Sequence, residues 1–364
     1  MNDICRPELD ALKPYKPGKP ISEVQRELKL KKVIKLASNE SPYPPFPPAI
    51  AAVERILRGL NRYPDANCTA LKERLASFLD VPELNIMIGN GSNELVRLIA
   101  NAVLNPDEEV IFAKPSFIVY PTVTKMMGGI CREIPLKDFR HDLPAMLKAV
   151  TKKTKMIIIC NPNNPTGTIV FKDEVSEFLE KIREEVVVVF DEAYSEYVED
   201  ERYPNGIDYF RQGKLVAVLR TFSKIYSLAG FRIGYGVAPD FLVEAVSKIR
   251  EPFNVNALAQ AAALASLDCQ DEVSRRKRLN AQGKRYLYGE FERLGLEYVP
   301  TEANFIWVNV ERDSQEIFKK LLAHGAIVRT GDIFGYDTYL RVTIGTQREN
   351  EEFIVALKEV LKNR

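Results

Sequence analysis

Residues 215–224 read LVAVLRTFSK, an apolar run that ends in two hydroxyls and a lysine. Residues 186–194 read VVVVFDEAY and repeat this arrangement, with a carboxylate and a phenol after the run. Runs this short and rich in β-branched residues are typical of strands that are buried on both faces of a parallel sheet. Ligands of open α/β sheets bind at the carboxyl ends of such strands. The two segments therefore predict a parallel sheet with a ligand site at one edge.

Three similar apolar runs precede these two, and amphipathic helical stretches separate them. The runs are Ile86–Ile88, Val110–Ala113 and Met156–Cys160. Strands that alternate with helices indicate α/β layering. After about residue 255 the pattern changes to a long helical region up to about Leu294, then shorter strands and a closing helix, at Asn304–Val310, Ala326–Arg329, Tyr339–Ile344 and Gln347–Leu361. This second pattern predicts a smaller α+β domain.

We therefore expect three parts: an N-terminal arm and connector over residues 1–45, a large α/β domain over 46–255 and a small C-terminal α+β domain over 256–364. Five prolines between Pro42 and Pro48 are incompatible with regular helix or a central strand, and they predict an extended connector. The basic run Arg275–Arg278 predicts a solvated helix face.

Composition excludes several classes of protein. The 364 residues include 51 Lys+Arg against 50 Asp+Glu, and this balance argues against nucleic-acid and membrane-surface partners. No segment of about 18 apolar residues occurs and the N-terminus does not resemble a signal peptide, so we expect a cytoplasmic protein that spans no membrane. Five scattered cysteines argue against a disulfide framework, and only two histidines are present, so we expect no metal site.

Lys224 is the first candidate for chemistry. It lies at the exit of a predicted buried strand, close to Thr221 and Ser223, and Arg232 follows eight residues later. A lysine in this position can form an imine with a carbonyl cofactor while the two hydroxyls and the guanidinium bind a phosphate. The alternative is a surface lysine in a turn capped by Ser and Thr.

Asp191 and Tyr194 follow the neighbouring strand. A pyridine cofactor needs an anion that keeps its ring nitrogen protonated, because the protonated ring accepts electrons. Asp191 can supply that anion, and Tyr194 can donate a hydrogen bond to the phenolate oxygen of the ring. The alternative is an aspartate that caps the turn after the strand.

Two loops add further polar groups. NPNNPTG at 161–167 contains two X-Pro steps, so it is a stiff loop that presents the Asn164 amide from a fixed position. GNGSNE at 89–94 places Ser92 and free backbone amides at the start of a helix, where phosphates bind. The alternatives are a proline-rich turn and a plain glycine turn with a serine cap. A dinucleotide fingerprint needs a third glycine where Glu94 stands.

Together these motifs resemble the fold-type I pyridoxal-5′-phosphate (PLP) aminotransferases, and within them the histidinol-phosphate aminotransferases. The similarity extends over nearly the whole chain and includes YKPGKP at 15–20, LASNESP at 36–42, NRYPD at 61–65, REPFNVN at 250–256 and RVTIGT at 341–346. The resemblance implies a seven-stranded, mostly parallel sheet between helices, a smaller C-terminal α+β domain and an N-terminal arm.

The resemblance also implies roles around the cofactor ring. Lys224 would bind PLP covalently and move a proton between the substrate Cα and C4′ of the cofactor. Asp191 would pair with the ring nitrogen, and Asn164 and Tyr194 would bind the phenolate oxygen. Phe117 would stack on the ring.

Further implied residues bind the phosphate and the substrate. The phosphate would be held by Ser92, Asn93, Thr221, Ser223 and Arg232. Tyr63 would reach this phosphate from the neighbouring subunit, which implies a homodimer with shared active sites. Arg341 and Arg329 would meet the acidic end of the substrate, while Tyr15 and Asn39 close the pocket from the arm.

Two positions depart from the family pattern, because Asn93 stands where aspartate is common and Phe117 where tyrosine is common. The implied reaction transfers an amino group between L-histidinol phosphate and 2-oxoglutarate. Near relatives act on aromatic amino acids or decarboxylate threonine phosphate, so both activities stay open as alternatives. Arg329 and Arg341 do not decide between them, because a guanidinium binds carboxylate and phosphate alike.

Two other classes of protein fit less well. A PLP-holding regulator would carry a DNA-binding domain, and the chain has neither spare residues nor a basic patch for one. A nucleotide-binding dehydrogenase would lack its third glycine and would leave Lys224 and Asp191 without a role.

Overall fold

The computed structural model describes residues 4–12, 14 and 18–362; Tyr15 lies outside them. The helices of this part are α1 (Ile21–Leu28), α2 (Pro47–Ile56), α3 (Thr69–Leu79), α4 (Ser92–Val103), α5 (Val119–Met126), α6 (Leu143–Lys148), α7 (Lys172–Lys181), α8 (Gly206–Arg211), α9 (Asp240–Ile249), α10 (Ala257–Leu267), α11 (Gln270–Arg293), α12 (Ser314–Ala323) and α13 (Gln347–Lys362). The strands are β1 (Ile34–Lys35), β2 (Ile86–Gly89), β3 (Glu109–Lys114), β4 (Ile130–Pro135), β5 (Thr154–Cys160), β6 (Val187–Asp191), β7 (Val216–Thr221), β8 (Gly234–Val237), β9 (Tyr298–Val299), β10 (Phe305–Asn309), β11 (Ala326–Ile327), β12 (Arg329–Thr330) and β13 (Tyr339–Thr343).

The central sheet has seven strands in the order β2-β8-β7-β6-β5-β3-β4. β8 runs antiparallel to both of its neighbours, and the other adjacent pairs are parallel. The predicted α/β fold with a mostly parallel, seven-stranded sheet is therefore confirmed. The five predicted apolar runs form β2, β3, β5, β6 and β7 with slightly different bounds.

The sequence pattern did not predict β4 and β8. β4 lies at the edge of the sheet and its residues are half-buried or exposed, so it contains no continuous apolar run. β8 is short and contains two glycines. A Cβ at Gly234 would lie 2.5 Å from the backbone nitrogen of Ser92, so glycine is needed for the start of α4 to approach this strand.

Helices cover both faces of the central sheet. Successive strand residues point to opposite faces, so Ile157 and Ile159 pack with residues of α3, α7 and α10, whereas Ile158 packs with residues of α4 and α9. All three isoleucines are fully buried. This two-sided burial is the reason that the strands appear in the sequence as uninterrupted apolar runs.

A second, antiparallel sheet follows in the order β12-β13-β10-β9. Apolar residues of α11, α12 and α13 pack on it. The prediction of one strand over Ala326–Arg329 is wrong: β11 pairs with β1 near the N-terminus, and β12 pairs with β13. The connector is thereby joined to the C-terminal region.

Two other predictions are also wrong. Pro47 and Pro48 belong to the first turn of α2, where a missing backbone N–H costs no hydrogen bond, rather than to an extended connector. Arg276 is only 4% exposed, so the basic run of α11 is not a solvated face throughout. The loop that follows Lys224 and the connector cover this guanidinium, as described below.

Within the described residues, no helix is long and apolar enough to cross a membrane. The five cysteines are free thiols. No group of three or more His, Cys, Asp or Glu side chains is placed to hold a metal ion in the described part of the chain.

Candidate active site

A cavity of about 220 Å³ opens beside the carboxyl ends of β5, β6 and β7. Its wall combines the connector, the start of α4, the sheet edge and the C-terminal strands. Of the residues singled out in the sequence, it contains Asn39, Ser92, Asn93, Phe117, Asn164, Asp191, Tyr194, Thr221, Ser223, Lys224, Arg232, Arg329 and Arg341. The fold thus brings together side chains from distant segments, and their individual roles stay predictions.

Lys224 follows β7 and is half-buried. Its Nζ donates a hydrogen bond of 3.2 Å to the carbonyl of Ser38 and lies 5.5 Å from the centre of the Tyr194 ring. The pKa of Lys224 is lowered to about 7, chiefly by burial; the positive charges of Arg341 and Arg232 act in the same direction, and the carboxylates of Glu40 and Asp191 oppose them. A substantial fraction of the amine is therefore neutral, and nucleophilic, near neutral pH.

Asp191 ends β6 and is 4% exposed. Its Oδ2 accepts a hydrogen bond of 2.7 Å from the Tyr120 hydroxyl. Its Oδ1 is buried without a hydrogen-bond partner among the described residues. Burial raises the pKa of Asp191, while the hydrogen bond from Tyr120 opposes that rise. The carboxylate thus has one oxygen held by the protein and one that lacks a donor.

The Tyr194 hydroxyl oxygen accepts two amide hydrogen bonds, from Asn39 Nδ2 at 3.0 Å and from Asn164 Nδ2 at 3.4 Å. Burial raises the pKa of Tyr194, so the hydroxyl keeps its proton at neutral pH. Because both amides donate to this oxygen, the hydroxyl hydrogen is left to donate to a third group.

Arg341 lies on β13, the strand between β12 and β10, and is 7% exposed. Its guanidinium donates to Asn164 Oδ1 at 2.6 Å and to the carbonyl of Ala37 at 2.8 Å. Arg329 on β12 is directly opposite Arg341 in the strand register, so the two side chains lie on the same face of the small sheet. That face borders the cavity.

The remaining polar groups lie where α4 begins. Gly91, the residue before Ser92, has φ +80°, and no side chain of the described residues caps the helix. A Cβ at Gly91 would lie 2.9 Å from Arg232 Nη2. Arg232 also donates to Ser223 Oγ at 3.5 Å. The guanidinium can approach the start of α4 because Gly91 has no side chain. Uncapped amides, guanidinium groups and hydroxyls are groups that bind anions in proteins.

Tyr63 does not line the cavity. Its side chain is 81% exposed, and its ring stacks on Phe253 with the ring centres 4.5 Å apart. Its implied contact with the phosphate of a neighbouring subunit stays a prediction.

Several residues in or beside the site were not predicted from the sequence. Tyr120 lies three positions after Phe117, and helical spacing in PSFIVY would have been a signal for it. Ser38 contributes only a backbone carbonyl, which leaves no side-chain signal. Ile118, Ile333 and Phe334 form an apolar part of the wall.

Comparison with known proteins agrees with this geometry. Residues 31–357 match the family described as aminotransferase class I and II. The histidinol-phosphate aminotransferase of Moorella thermoacetica is 53% identical over 300 residues, which cover 82% of this chain and 78% of that protein. The histidinol-phosphate aminotransferase of Caldicellulosiruptor saccharolyticus is 50% identical over 310 residues, which cover 85% and 87%.

Solved structures share the whole architecture. The crystal structure of histidinol-phosphate aminotransferase from Sinorhizobium meliloti in complex with pyridoxal-5′-phosphate superposes with a TM-score of 0.91 at 26% identity, covering 100% of this chain and 98% of that one. A Thermus thermophilus aspartate aminotransferase mutant has the same fold, with a TM-score of 0.84 at 23% identity and coverage of 98% and 99%. The chain therefore has the type I fold of PLP aminotransferases and belongs to the family of class I and II aminotransferases.

Proposed function

We propose that this protein is a PLP-dependent histidinol-phosphate aminotransferase, which transfers an amino group between L-histidinol phosphate and 2-oxoglutarate. The observation that carries the proposal is one cavity that holds a lysine with a lowered pKa, a carboxylate oxygen without a donor and a buried arginine. Relatives named histidinol-phosphate aminotransferase, 50% and 53% identical to this chain, support the choice of substrate.

The residues present fit PLP. The phosphate fits the start of α4, where the guanidinium of Arg232 lies beside uncapped backbone amides because Gly91 has no side chain to keep it away. The ring nitrogen fits Asp191 Oδ1, a buried acceptor that lacks a donor among the described residues. The phenolate oxygen of the ring fits the hydroxyl hydrogen of Tyr194, and Phe117 at the cavity wall offers a flat surface to the ring.

When bound, PLP supplies an aldehyde that takes up the amino group and a protonated ring that accepts electrons. Lys224 would hold the cofactor through its Nζ, and the lowered pKa provides the neutral, nucleophilic amine that this needs. As a neutral amine, Lys224 Nζ would also serve as the general base and acid that accepts and returns a proton beside the carbon that carries the amino group. The Asp191 carboxylate would accept a hydrogen bond from the protonated ring nitrogen and stabilise its charge.

Arg341 and Arg329 bind the acidic end of each substrate in turn, as in a ping-pong cycle in which donor and keto acid use the same site. The apolar wall formed by Ile118, Ile333 and Phe334 excludes water from the reacting atoms and packs against the imidazole ring of the donor.

We also propose how the enzyme assembles and where it works. Exposed Tyr63 reaches the phosphate of a second copy in a homodimer with shared active sites. Asn39 closes the substrate pocket from the N-terminal side; Tyr15, to which the resemblance gives the same role, lies outside the described residues. The enzyme works in the cytoplasm on small molecules, without nucleic-acid or membrane partners. Its parts divide at residues 45/46 and 255/256, and α10, on the C-terminal side of the second division, packs on the central sheet.

A single-turnover experiment tests the proposed substrate. Protein loaded with PLP receives L-histidinol phosphate, phenylalanine or threonine phosphate separately, without a keto acid, while its visible absorbance is followed. We expect histidinol phosphate to bleach the absorbance fastest, and 2-oxoglutarate to restore it. Lys224→Ala, which keeps the phosphate and ring contacts, is expected to bind PLP without turnover.

Other outcomes reject the proposal in distinct ways. Faster bleaching by phenylalanine assigns the protein to aromatic amino acids. Release of carbon dioxide from threonine phosphate assigns it to decarboxylation. Absence of visible absorbance after PLP addition would show that the protein does not bind PLP. Full activity of Lys224→Ala would show that Lys224 is not needed for the reaction.

A further inference from the structure

Arg276 on α11 is a buried guanidinium that lies outside the cavity wall. It is 4% exposed, and its hydrogen-bond acceptors in the described part of the chain are uncharged oxygens. Nη1 donates to the carbonyl of Ile225 at 2.9 Å and to Ser227 Oγ, and Nη2 donates to the carbonyl of Pro44 at 2.6 Å. The guanidinium carbon lies 4.1 Å from the centre of the Phe46 ring.

Burial of a guanidinium is costly, and it lowers the pKa of Arg276. The neighbouring basic side chains of the run avoid this cost, since Arg275 and Arg278 are exposed. Core packing alone would be served by an apolar side chain of similar volume. The position of the three acceptors therefore indicates what the arginine does.

Two of the acceptors belong to the turn that begins with Lys224. This turn is closed by backbone hydrogen bonds from Ser227 to Lys224 and from Leu228 to Phe222. Ser227 has φ +60°, a strained conformation for a residue with a side chain. Arg276 holds the outer side of the turn at Ile225, the residue directly after the lysine.

The third acceptor belongs to the connector. Pro44 lies six residues after Ser38, whose carbonyl accepts the hydrogen bond from Lys224 Nζ. The turn and the connector are thus joined twice: once inside the cavity through Lys224, and once outside it through Arg276. The hydrogen bonds of Arg276 therefore restrict how far Lys224 can move from the Ser38 carbonyl.

We infer that Arg276 is a positioning residue, which sets the placement of Lys224 by holding the turn after it against the connector. The inference deepens the proposed function, on which its meaning for catalysis rests. Arg276 does not touch the reacting atoms, and it acts through the backbone of the turn.

The test titrates Lys224 in cofactor-free protein by competitive acetylation, with the modified peptide quantified by mass spectrometry at a series of pH values. We expect a midpoint near pH 7 in the unchanged chain. Arg276→Lys keeps the positive charge and loses the planar guanidinium that binds the three acceptors. We expect the loosened turn to admit water to the Lys224 amine, so that the midpoint rises by about one pH unit. Arg276 is not among the main causes of the lowered pKa of Lys224, and the substitution keeps the charge, so a rise reports placement rather than direct repulsion.

Arg275→Lys and Arg278→Lys are matched controls from the exposed side of the same run, and both are expected to leave the midpoint unchanged. In the loaded enzyme we expect Arg276→Lys to lower kcat about tenfold with little change in KM, since the nucleophile is misplaced while the substrate site is intact.

A folded Arg276→Lys protein with the midpoint of the unchanged chain overturns the inference. Should that variant fail to fold, Ser227→Ala removes one acceptor and keeps the arginine; a smaller rise of the midpoint supports the inference and an unchanged midpoint overturns it. The acetylation measurement uses neither cofactor nor substrate, so failure of the proposed function appears separately, as absence of PLP binding or turnover.

Discussion

The Tyr120 hydroxyl donates a hydrogen bond of 2.7 Å to Asp191 Oδ2, and Oδ1 of the same carboxylate has no partner among the described residues. Tyr120 is fully buried on α5, where its ring packs edge-on against Phe117. Contact with α5 therefore orients a carboxylate that belongs to β6. One oxygen is fixed by the fold, and the other lacks a donor among the described residues and borders the cavity lined by Asp191.

Removing this hydrogen bond is expected to weaken the cofactor site without disturbing the core. Tyr120→Phe keeps the ring and loses a bond to a charged group, which contributes about 1.5–3 kcal/mol. We expect PLP affinity and kcat to fall roughly tenfold or more, as measured by absorbance titration and steady-state kinetics. Tyr209→Phe is the control, because that hydroxyl binds the carbonyl of Lys172 away from the cavity. Equal effects in both variants would contradict a specific role for Tyr120.

Asp191→Asn is expected to lower kcat without lowering the stability of the fold. Burial raises the pKa of Asp191 in the folded protein, so the unfolded chain loses this proton at a lower pH than the folded protein does. The contribution of Asp191 to the free energy of unfolding therefore falls as pH rises from the pKa of the unfolded chain to the pKa of the folded protein. The protein remains destabilised by this amount at pH 7. The cofactor-free variant should be at least as stable as the unchanged protein at pH 7 in urea unfolding, while kcat drops about 100-fold or more. Marked destabilisation of the folded variant would show that the carboxylate serves the fold.

The pKa of Lys224 predicts the pH dependence of cofactor capture. The folded pKa of about 7 lies below the usual lysine value, so the neutral amine becomes available as pH rises through 7. The rate of covalent PLP capture, followed by absorbance between pH 5.5 and 9, should rise through about pH 7 and then level off. A rate that keeps rising beyond pH 9 would mean that the lysine titrates as an exposed amine.

Gly91→Ala is expected to damage the phosphate site for a steric reason. The new Cβ would lie 2.9 Å from Arg232 Nη2, and the residue would adopt φ +80°. Gly213→Ala is a matched control, because Gly213 has φ +78° with no atom within 4 Å of the added Cβ. Both variants should lose about 1 kcal/mol of unfolding free energy from backbone strain. Only Gly91→Ala should also lose PLP affinity, by about tenfold; an equal loss in both would assign the effect to strain alone.

Arg341→Lys is expected to weaken substrate binding more than it slows chemistry. Lysine keeps the charge but cannot hold Asn164 and the Ala37 carbonyl while it also binds an acidic group. We expect KM for both substrates to rise, roughly 10–100-fold, with a smaller change in kcat. Arg348→Lys, an exposed guanidinium on α13, is the control. An unchanged KM would show that Arg341 does not bind the substrate and would leave Arg329 as the candidate.

The sequence by itself determined the α/β class, five strands of the central sheet and the set of polar residues at its edge. It did so because two-sided burial leaves apolar runs, and because the carboxyl ends of parallel strands meet at one edge. Lys224, Asp191 and Asn164 each follow such a strand, so their common location is a property of local pattern together with sheet direction.

Tertiary structure alone decided how these side chains are held. Tyr120 and Asp191 are 71 residues apart, Ser38 and Lys224 are 186 apart, and Arg276 reaches Ile225 across 51 residues. Two of these contacts end on backbone carbonyls, which have no signature in a sequence, and a buried arginine looks in the sequence like its exposed neighbours. Strand β8 was not predicted for a related reason, since Gly234 is required by the close approach of α4 and Gly236 by the side chains of Leu219 and Met87 on the adjacent strands. Contacts between distant segments depend on the packing of whole elements, so only the folded chain shows them.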